Sequence, residues 1–452
     1  MHGFNAEAEA LGQAILMYAE DRMRLHPAPL GGPRTLEELQ EVAGSTITAD
    51  GMGGLAALQL FGDELAPACV SNDHPRNLSF IPCAPTEASV LFELIVGASG
   101  IFAGSWLEGS GAVFVENVAL RWIADLAGLP REAGGVFVPG GTVGNLSALV
   151  TARWVARVRH TESGSTRPQP TKVAAQLGVH STMRSTCQVM DAELVGVRGD
   201  EHQRLSGDNL RAVLEAEGPE TFFAVVATAG TTDFGIVDDL DSVARVCREY
   251  GIWLHVDGAY GGAGLAAPTV RHLFAGIEHA DSFIVDPHKW LFAPFDCCAL
   301  LYREPAVGRG AHTQDASNLD VLDDTEWNPA EYAIGLTRGA RGLPLWFSLV
   351  VHGTKAYTAA IERTLALTRF AEAEIAQRPY LEALRDADLS VVVFRRHGWE
   401  PEDYQAWSDE MLREELAFVV PTSHEGETVA RFAIVNPTTS EEDIVAILDT
   451  MA

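Results

Sequence analysis

Positive charge is scarce in this chain of 452 residues: 32 Lys and Arg stand against 62 Asp and Glu, a formal net charge of −30. A surface of that sign repels phosphate backbones and anionic lipid heads, so neither nucleic acid nor a membrane surface is an expected partner. Cysteine is sparse too. The six residues, at 69, 83, 187, 247, 297 and 298, form no C-x-x-C and no regular spacing. That pattern argues against a disulfide framework and a zinc cage, and no metal site is expected. No apolar stretch reaches the roughly 18 residues of a membrane span. The first residues, MHGFNAEAEALGQ, lack the basic start and unbroken apolar run of a secretion signal. The expectation is a cytoplasmic protein in a reducing compartment. Internal repeats and low-complexity tracts are absent, and the one polar patch, TESGSTRPQP at 161–170, reads as a surface loop.

What the chain has is ample length for a large core and a regular alternation of patterns. From about residue 134 the runs GGVFVP, TKVAAQLGV, ELVGVR, FFAVVAT, IWLHVD, DSFIV and CCALLY alternate with helical stretches such as NLSALVTARWVARVR and LDSVARVCREYG. Several runs are apolar almost throughout, as strands covered on both faces are, and the helical spacers suit crossover connections. An α/β fold with a mostly parallel sheet is predicted, in a large domain over residues 76–345. Residues 1–75 read as a helical arm with a glycine-rich break, DGMGGLAAL. Residues 346–452 read as a small α+β domain: a long helix, strands LSVVVFRR and ARFAIV, and a last helix opened by a T-x-x-E capping box in TSEEDIVAIL.

Lysine occurs at 172, 289 and 355 alone. Lys289 follows the apolar run SFIVDPH; in an apolar pocket desolvation disfavours the ammonium, and the free amine condenses with an aldehyde. A lysine reaching from a strand end to solvent leaves the same trace. Asp257 ends WLHVD and precedes small residues that leave room for a flat ligand. An acid there suits a protonated pyridine nitrogen, a metal ion or a helix cap. VPGGTVGNLSAL sets Gly141 and Thr142 between a strand and a helix, where backbone N–H groups and the positive helix end hold a phosphate monoester. It lacks the P-loop lysine and the G-x-G-x-x-G spacing. His180 closes LGVH, as a stacking or proton-handling imidazole or as a structural one. Thr231 and Thr232 follow FFAVVATAG, at another strand end of the kind where ligands of open α/β sheets collect.

The stretches FIPCAPTEASVLFELIVGASGIFAGSW, GGTVGNLSAL, VHSTMRS, ATAGTTDFGIVDDL, WLHVDGAYGG, DPHKWL, RGARGLPLWFSL and RFAIVNPTTSEEDI run in order across nearly the whole chain. Together they resemble the group II pyridoxal-phosphate (PLP)-dependent amino acid decarboxylases, the family of the aromatic amino acid, tyrosine, histidine and glutamate decarboxylases. The resemblance implies fold type I, aspartate-aminotransferase-like, with active sites at a homodimer interface, and decarboxylation of a small-molecule substrate, an L-amino acid, to an amine and CO₂. It implies that Lys289 attaches PLP covalently, that Asp257 pairs with the pyridine nitrogen and that His180 stacks on the ring. It places Gly141, Thr142, Asp286 and His288 around the phosphate, and Ala259 and Thr232 beside the cofactor. Phe80, Ile81, Pro82 and, from a second subunit, Phe102 would form an apolar slot that favours an aromatic side chain, and Arg431 would orient the histidine or a carboxylate. The same resemblance exposes a departure. The family's mobile-loop tyrosine, which helps protonate the substrate carbon, aligns with Asn318 in GRGAHTQDASNLDVLDD. An amide does not donate a proton as a phenol does. Either His312, His180 or a water replaces it and the product is an amine, or O₂ meets the carbanionic intermediate and an aldehyde forms. Another PLP lyase or transferase of the same fold, and a non-catalytic binding protein, are the remaining alternatives.

Overall fold

The computed structural model describes residues 2–313 and 326–452. Each of the seven apolar runs forms a strand: β1 (Gly134–Val138), β2 (Lys172–Gln176), β3 (Glu193–Val197), β4 (Phe222–Thr228), β5 (Trp253–Asp257), β6 (Ser282–Val285) and β7 (Cys298–Tyr302). They make one sheet in the order β1-β7-β6-β5-β4-β2-β3. The run β6-β5-β4-β2-β3 is parallel, and β7 is antiparallel to both its neighbours. Every residue of β4, β5, β6 and β7 is buried, which is why these strands read as continuous apolar runs and not as alternating ones. The fold is α/β, with a mostly parallel sheet.

Fourteen α-helices surround this frame among the described residues. Before the sheet come α1 (Ala6–Arg24), α2 (Leu36–Ala43), α3 (Gly54–Leu60), α4 (Glu87–Ser99) and α5 (Trp106–Leu126). Between strands lie α6 (Gly140–Glu162), α7 (Ser181–Val189), α8 (Gly207–Glu217) and α9 (Leu240–Tyr250). After the sheet follow α10 (Pro305–His312), α11 (Leu343–His352), α12 (Thr354–Ala376), α13 (Pro401–Arg413) and α14 (Glu441–Asp449). None is long and apolar enough to cross a membrane. Helix α6 starts directly after β1 and lies close on the sheet: a Cβ at Gly144 would stand 3.0 Å from both Cys298 Sγ and Ile284 Cγ2. Four short strands, β8 (Leu381–Ala383), β9 (Val391–Arg396), β10 (Thr422–His424) and β11 (Glu427–Ala433), form a second sheet in the order β10-β11-β9-β8.

Two details differ from the pattern read in the sequence. The long helix expected after residue 346 is α12, set off from α11 by Gly353, whose φ of +74° ends the preceding helix. The last capping box is Ser440 with Asp443, one residue beyond the expected Thr439 and Glu442. Thr439 is already engaged, its hydroxyl donating to the carbonyl of Pro75 at 2.6 Å.

The chain divides into two compact units, one of residues 1–82, 370–385 and 393–452, the other of residues 83–369 and 386–392. The sequence had suggested boundaries near 75 and 345. In the first unit the segment 76–78 is stitched to the C-terminal part of the chain, with Leu78 N donating to Phe418 O at 3.0 Å and Ala433 N to Leu78 O at 2.9 Å. In the second, the buried Arg338 and Glu116 form a two-pronged ion pair at 2.8 and 3.0 Å. Arg338 also donates to the carbonyls of Ala103 and Phe137, and Glu116 accepts from Gly342 N. This closes nearly all of the pair's polar valences, the condition under which buried charges are tolerable.

Candidate active site

The period of two along a strand puts Trp253, His255 and Asp257 on one face of β5, and Ser282, Ile284 and the following Asp286 on one face of β6. The parallel register brings His255 beside Ser282 and Asp257 beside Ile284. Helix α6 covers this face. Asn145 Nδ2 donates to Asp257 Oδ2 at 2.9 Å, and Ala259 N donates to Asp257 Oδ1 at 3.0 Å. Asp257 is thus a buried carboxylate with one donor on each oxygen, and lone pairs on both remain for a further donor. Behind it, His255 Nε2 lies 2.7 Å from Asn145 Oδ1, and His255 Nδ1 lies 2.8 Å from Ser282 Oγ, which also receives Trp253 Nε1–H at 2.8 Å.

Past β6 the chain turns, and Lys289 comes back over Asp286: Nζ is 2.9 Å from Asp286 Oδ2. The sequence suggested a lysine pKa lowered by burial. Burial does act in that direction, but the Asp286 charge and hydrogen bond, helped by Asp257, outweigh it and hold the Lys289 ammonium above its ordinary value. Asp286 is buried, and its Oδ1 has no hydrogen-bond partner among the described residues. His288 Nε2 lies 3.7 Å from Asp286 Oδ2, while its Nδ1 lies 2.7 Å from the carbonyl oxygen of Cys297. Burial lowers the His288 pKa, with Asp286 opposing. Gly141, in the first turn of α6, faces the same carboxylate: a Cβ there would stand 3.2 Å from Asp286 Oδ2 and 3.3 Å from Ala259 Cβ. Gly140 before it has φ +75°. Any side chain at Gly141 would crowd this floor.

The structure therefore gathers Gly141, Asp257, Ala259, Asp286, His288 and Lys289. The other expected residues of this unit are placed as follows. His180 is exposed and caps α7, its Nδ1 accepting from Thr182 N at 3.3 Å. Thr142 and Thr232 are exposed, and Phe102 is half-buried. His312, a candidate proton donor, is buried against α6, with Nε2 3.1 Å from Ser147 O and 3.2 Å from Thr151 Oγ1, and burial lowers its pKa. Asn318 lies outside the described residues. Phe80, Ile81, Pro82 and Arg431 belong to the first unit. There the guanidinium of Arg431 donates to the carbonyl of Phe80 at 2.9 Å. Phe80 has φ +53° and its ring is exposed. Asn145, His255 and Ser282 were not singled out in the sequence. The signal was there for His255, a polar residue two positions before Asp257 in an otherwise apolar strand. Ser282 and Asn145 become visible only through register and helix packing.

A family model for the pyridoxal-dependent decarboxylase conserved domain matches residues 56–397. The chain belongs to this family. Among curated decarboxylases, it is 28% identical over 391 residues to an aromatic-L-amino-acid decarboxylase of Bacillus atrophaeus, covering 83% of this chain and 80% of that one. It is 29% identical over 417 residues to an L-2,4-diaminobutyrate decarboxylase of Rhizobium meliloti, covering 89% and 82%. The fold is also that of the Oryza sativa TDC crystallised with PLP and tryptamine, at TM-score 0.91 and 22% identity over 100% of this chain and 98% of that one. The protein is a PLP-dependent carboxy-lyase acting on an amino acid.

The residues present fit the cofactor. A decarboxylase of this kind needs an amine for the aldehyde, an acid for the ring nitrogen and a side-chain-free approach for the phosphate. Groups of these three kinds are present at Lys289, Asp257 and the glycine pair 140–141, just past β6, at the end of β5 and at the start of α6.

Proposed function

We propose that the decarboxylase acts on an aromatic L-amino acid, releasing CO₂ and the corresponding amine. The observation that carries the substrate class is Phe80, a phenyl ring 66% exposed on a backbone at φ +53°. The left-handed backbone at this exposed apolar residue supports a ligand-facing role. Ile81 and Pro82 beside it and, from a second subunit, Phe102 complete the proposed apolar slot, and the aromatic-substrate relatives support this reading.

Bound PLP supplies the electron sink for the pair released when the Cα–carboxylate bond breaks. Lys289 would contribute the amine that holds the cofactor. Asp257 holds a proton on the ring nitrogen. Asp286 accepts a hydrogen bond from the Lys289 ammonium. Gly141, Thr142 and His288 face the phosphate, Ala259 and Thr232 flank the cofactor, and His180 covers the ring face. Arg431 fixes the Phe80 segment through its carbonyl.

The working unit in this reading is a homodimer with shared active sites. Leu91, Leu94 and Ile95 of α4, Leu107, Phe114 and Val118 of α5, and Val350 and Val351 of α11 are all exposed in the single chain, an apolar area that a second copy would cover. The six free cysteines suit a cytoplasmic setting.

The second reading, an aldehyde product, is favoured by Asn318 in place of the family's tyrosine. PLP-loaded protein incubated in air and under nitrogen with aromatic amino acids, glutamate and 2,4-diaminobutyrate separates the readings. Amine from an aromatic substrate in equal yield with and without O₂ is the expected result. Aldehyde and peroxide in air alone would replace it with the second reading, and turnover of glutamate or diaminobutyrate alone would overturn the aromatic assignment.

A further inference from the structure

We propose that Trp253, Ser282, His255 and Asn145 form a one-directional hydrogen-bond relay that orients the Asp257 carboxylate, making them positioning residues for the decarboxylase. The inference rests on the role proposed for Asp257.

The direction of the relay follows from its two ends. An indole N–H only donates, so Ser282 Oγ accepts from Trp253. A carboxylate only accepts, so the bond at the other end runs from the Asn145 amide nitrogen to Asp257 Oδ2. This amide orientation leaves Asn145 Oδ1 toward His255, so His255 Nε2 is the donor across their 2.7 Å contact. A neutral imidazole then has a bare Nδ1, which accepts the Ser282 hydroxyl proton at 2.8 Å. Each contact pairs one donor with one acceptor, and a single proton assignment satisfies all four.

The surroundings agree. Asn145, His255 and Ser282 are each at most 1% exposed, so no water competes for these bonds. The charge that faces His255 is Asp257 on its own strand; from α6 and β6 the facing groups are the neutral Asn145 and Ser282. Burial holds the imidazole pKa down at about 4 against the pull of Asp257, which keeps the ring neutral as the relay requires. Three elements of the fold thereby act on one carboxylate. With Ala259 N on its other oxygen, Asp257 is fixed in rotation about its side-chain bonds, and its free lone pairs keep one aim.

The relay is tested in the holoenzyme with Asn145→Leu, His255→Leu, His255→Gln, Ser282→Ala and Asp257→Ala. The measurements are kcat, KM, cofactor affinity, the pH dependence of the bound cofactor's absorbance, and the imidazole nitrogen shifts of His255 by NMR. Asn145→Leu and His255→Leu should each lower kcat by about tenfold or more with KM changed little, and displace the absorbance titration. Ser282→Ala, which removes an oxygen without adding volume, should move both readouts the same way by less. His255→Gln presents an acceptor to Ser282 and a donor to Asn145, and should recover most of what His255→Leu loses. The His255 shifts should report a neutral ring protonated on Nε2 across about pH 6 to 9. The relay is refuted if the Leu variants lose only thermal stability while kcat and absorbance stay put, if His255→Gln fails as badly as His255→Leu, or if His255 titrates in that range. Asp257→Ala separates the two levels. Wild-type behaviour there would sink the role of Asp257 and the relay together, whereas a severe defect alongside a silent Asn145→Leu would sink the relay alone.

Discussion

At the ends of β5 and β6, Asp257 is 6% exposed, and each of its oxygens already has a donor from the protein. At Phe80, in the other compact unit, the ring is 66% exposed, the backbone is at φ +53°, and a guanidinium bond of 2.9 Å holds the carbonyl. In the first region the protein itself holds both oxygens of Asp257, so the aim of that carboxylate is set before any ligand arrives. The second holds an apolar group where solvent meets it, so its satisfaction depends on what binds. Groups that must hold a proton at one atom belong in the first kind of setting, and groups that choose among side chains belong in the second.

Four changes break or sharpen that contrast, the largest effect first. Lys289→Ala should abolish covalent cofactor attachment and turnover, seen as loss of the borohydride-reducible adduct on the Lys289 peptide; the other two lysines, 172 and 355, serve as internal controls. Retained adduct formation would remove Lys289 from its proposed role. Arg338→Ala leaves Glu116 buried without its partner and should cost about 3–5 kcal/mol in urea unfolding. A cost under ~1 kcal/mol, the surface value, would mean that the pair is not sealed from water.

The third change is read by pH. His255 has its pKa lowered from 6.5 to about 4 by burial. Between these values the unfolded chain binds the proton more tightly than the folded one. Stability contributed by the neutral ring is full above the unfolded value and is lost as pH falls toward the folded one, by on the order of 3 kcal/mol. His255→Gln carries no titrating ring, so the loss between neutral pH and about pH 4.5 should shrink by most of that amount; an unchanged slope would assign the acid sensitivity elsewhere. The smallest effect is expected at Phe80. Phe80→Ala should raise KM for an aromatic substrate about tenfold, with kcat nearly unchanged. Unfolding should shift by no more than about 0.5 kcal/mol, because the ring is exposed. A large stability loss would reassign Phe80 to packing.

The sequence was legible where one strong local signal decides structure. The four runs that form β4 to β7 are buried throughout, so hydrophobicity alone marks them, and Lys289, Asp257 and Gly141 stand at or just past the ends of strands of this sheet. It was less legible where long-range partners decide. Thr439 looked like a helix cap, and Ser440 took that place because the Thr439 hydroxyl is bound to Pro75, far away in the chain. The pKa of Lys289 was misjudged for a local reason: burial is inferable from an apolar run, but the 2.9 Å contact with Asp286, three residues earlier, is set by the turn after β6. Asn145 and Ser282 belong to segments more than a hundred residues apart, and only the packing of α6 on β5 and β6 makes them neighbours of the same histidine.

Helix α6 has one more consequence. Gly141, against Asp286 and Ala259, and Asn145, against Asp257, are four residues apart on one helix. At about 1.5 Å of rise per residue their axial separation is close to 6 Å and is not free to vary. In the proposed reading the first turn of α6 is thus a gauge block, setting the span between the place a phosphate would rest and the acid a ring nitrogen would meet. Cofactor analogues with a longer or shorter arm between those two groups would fail this gauge at one end or the other, whatever their chemical reactivity.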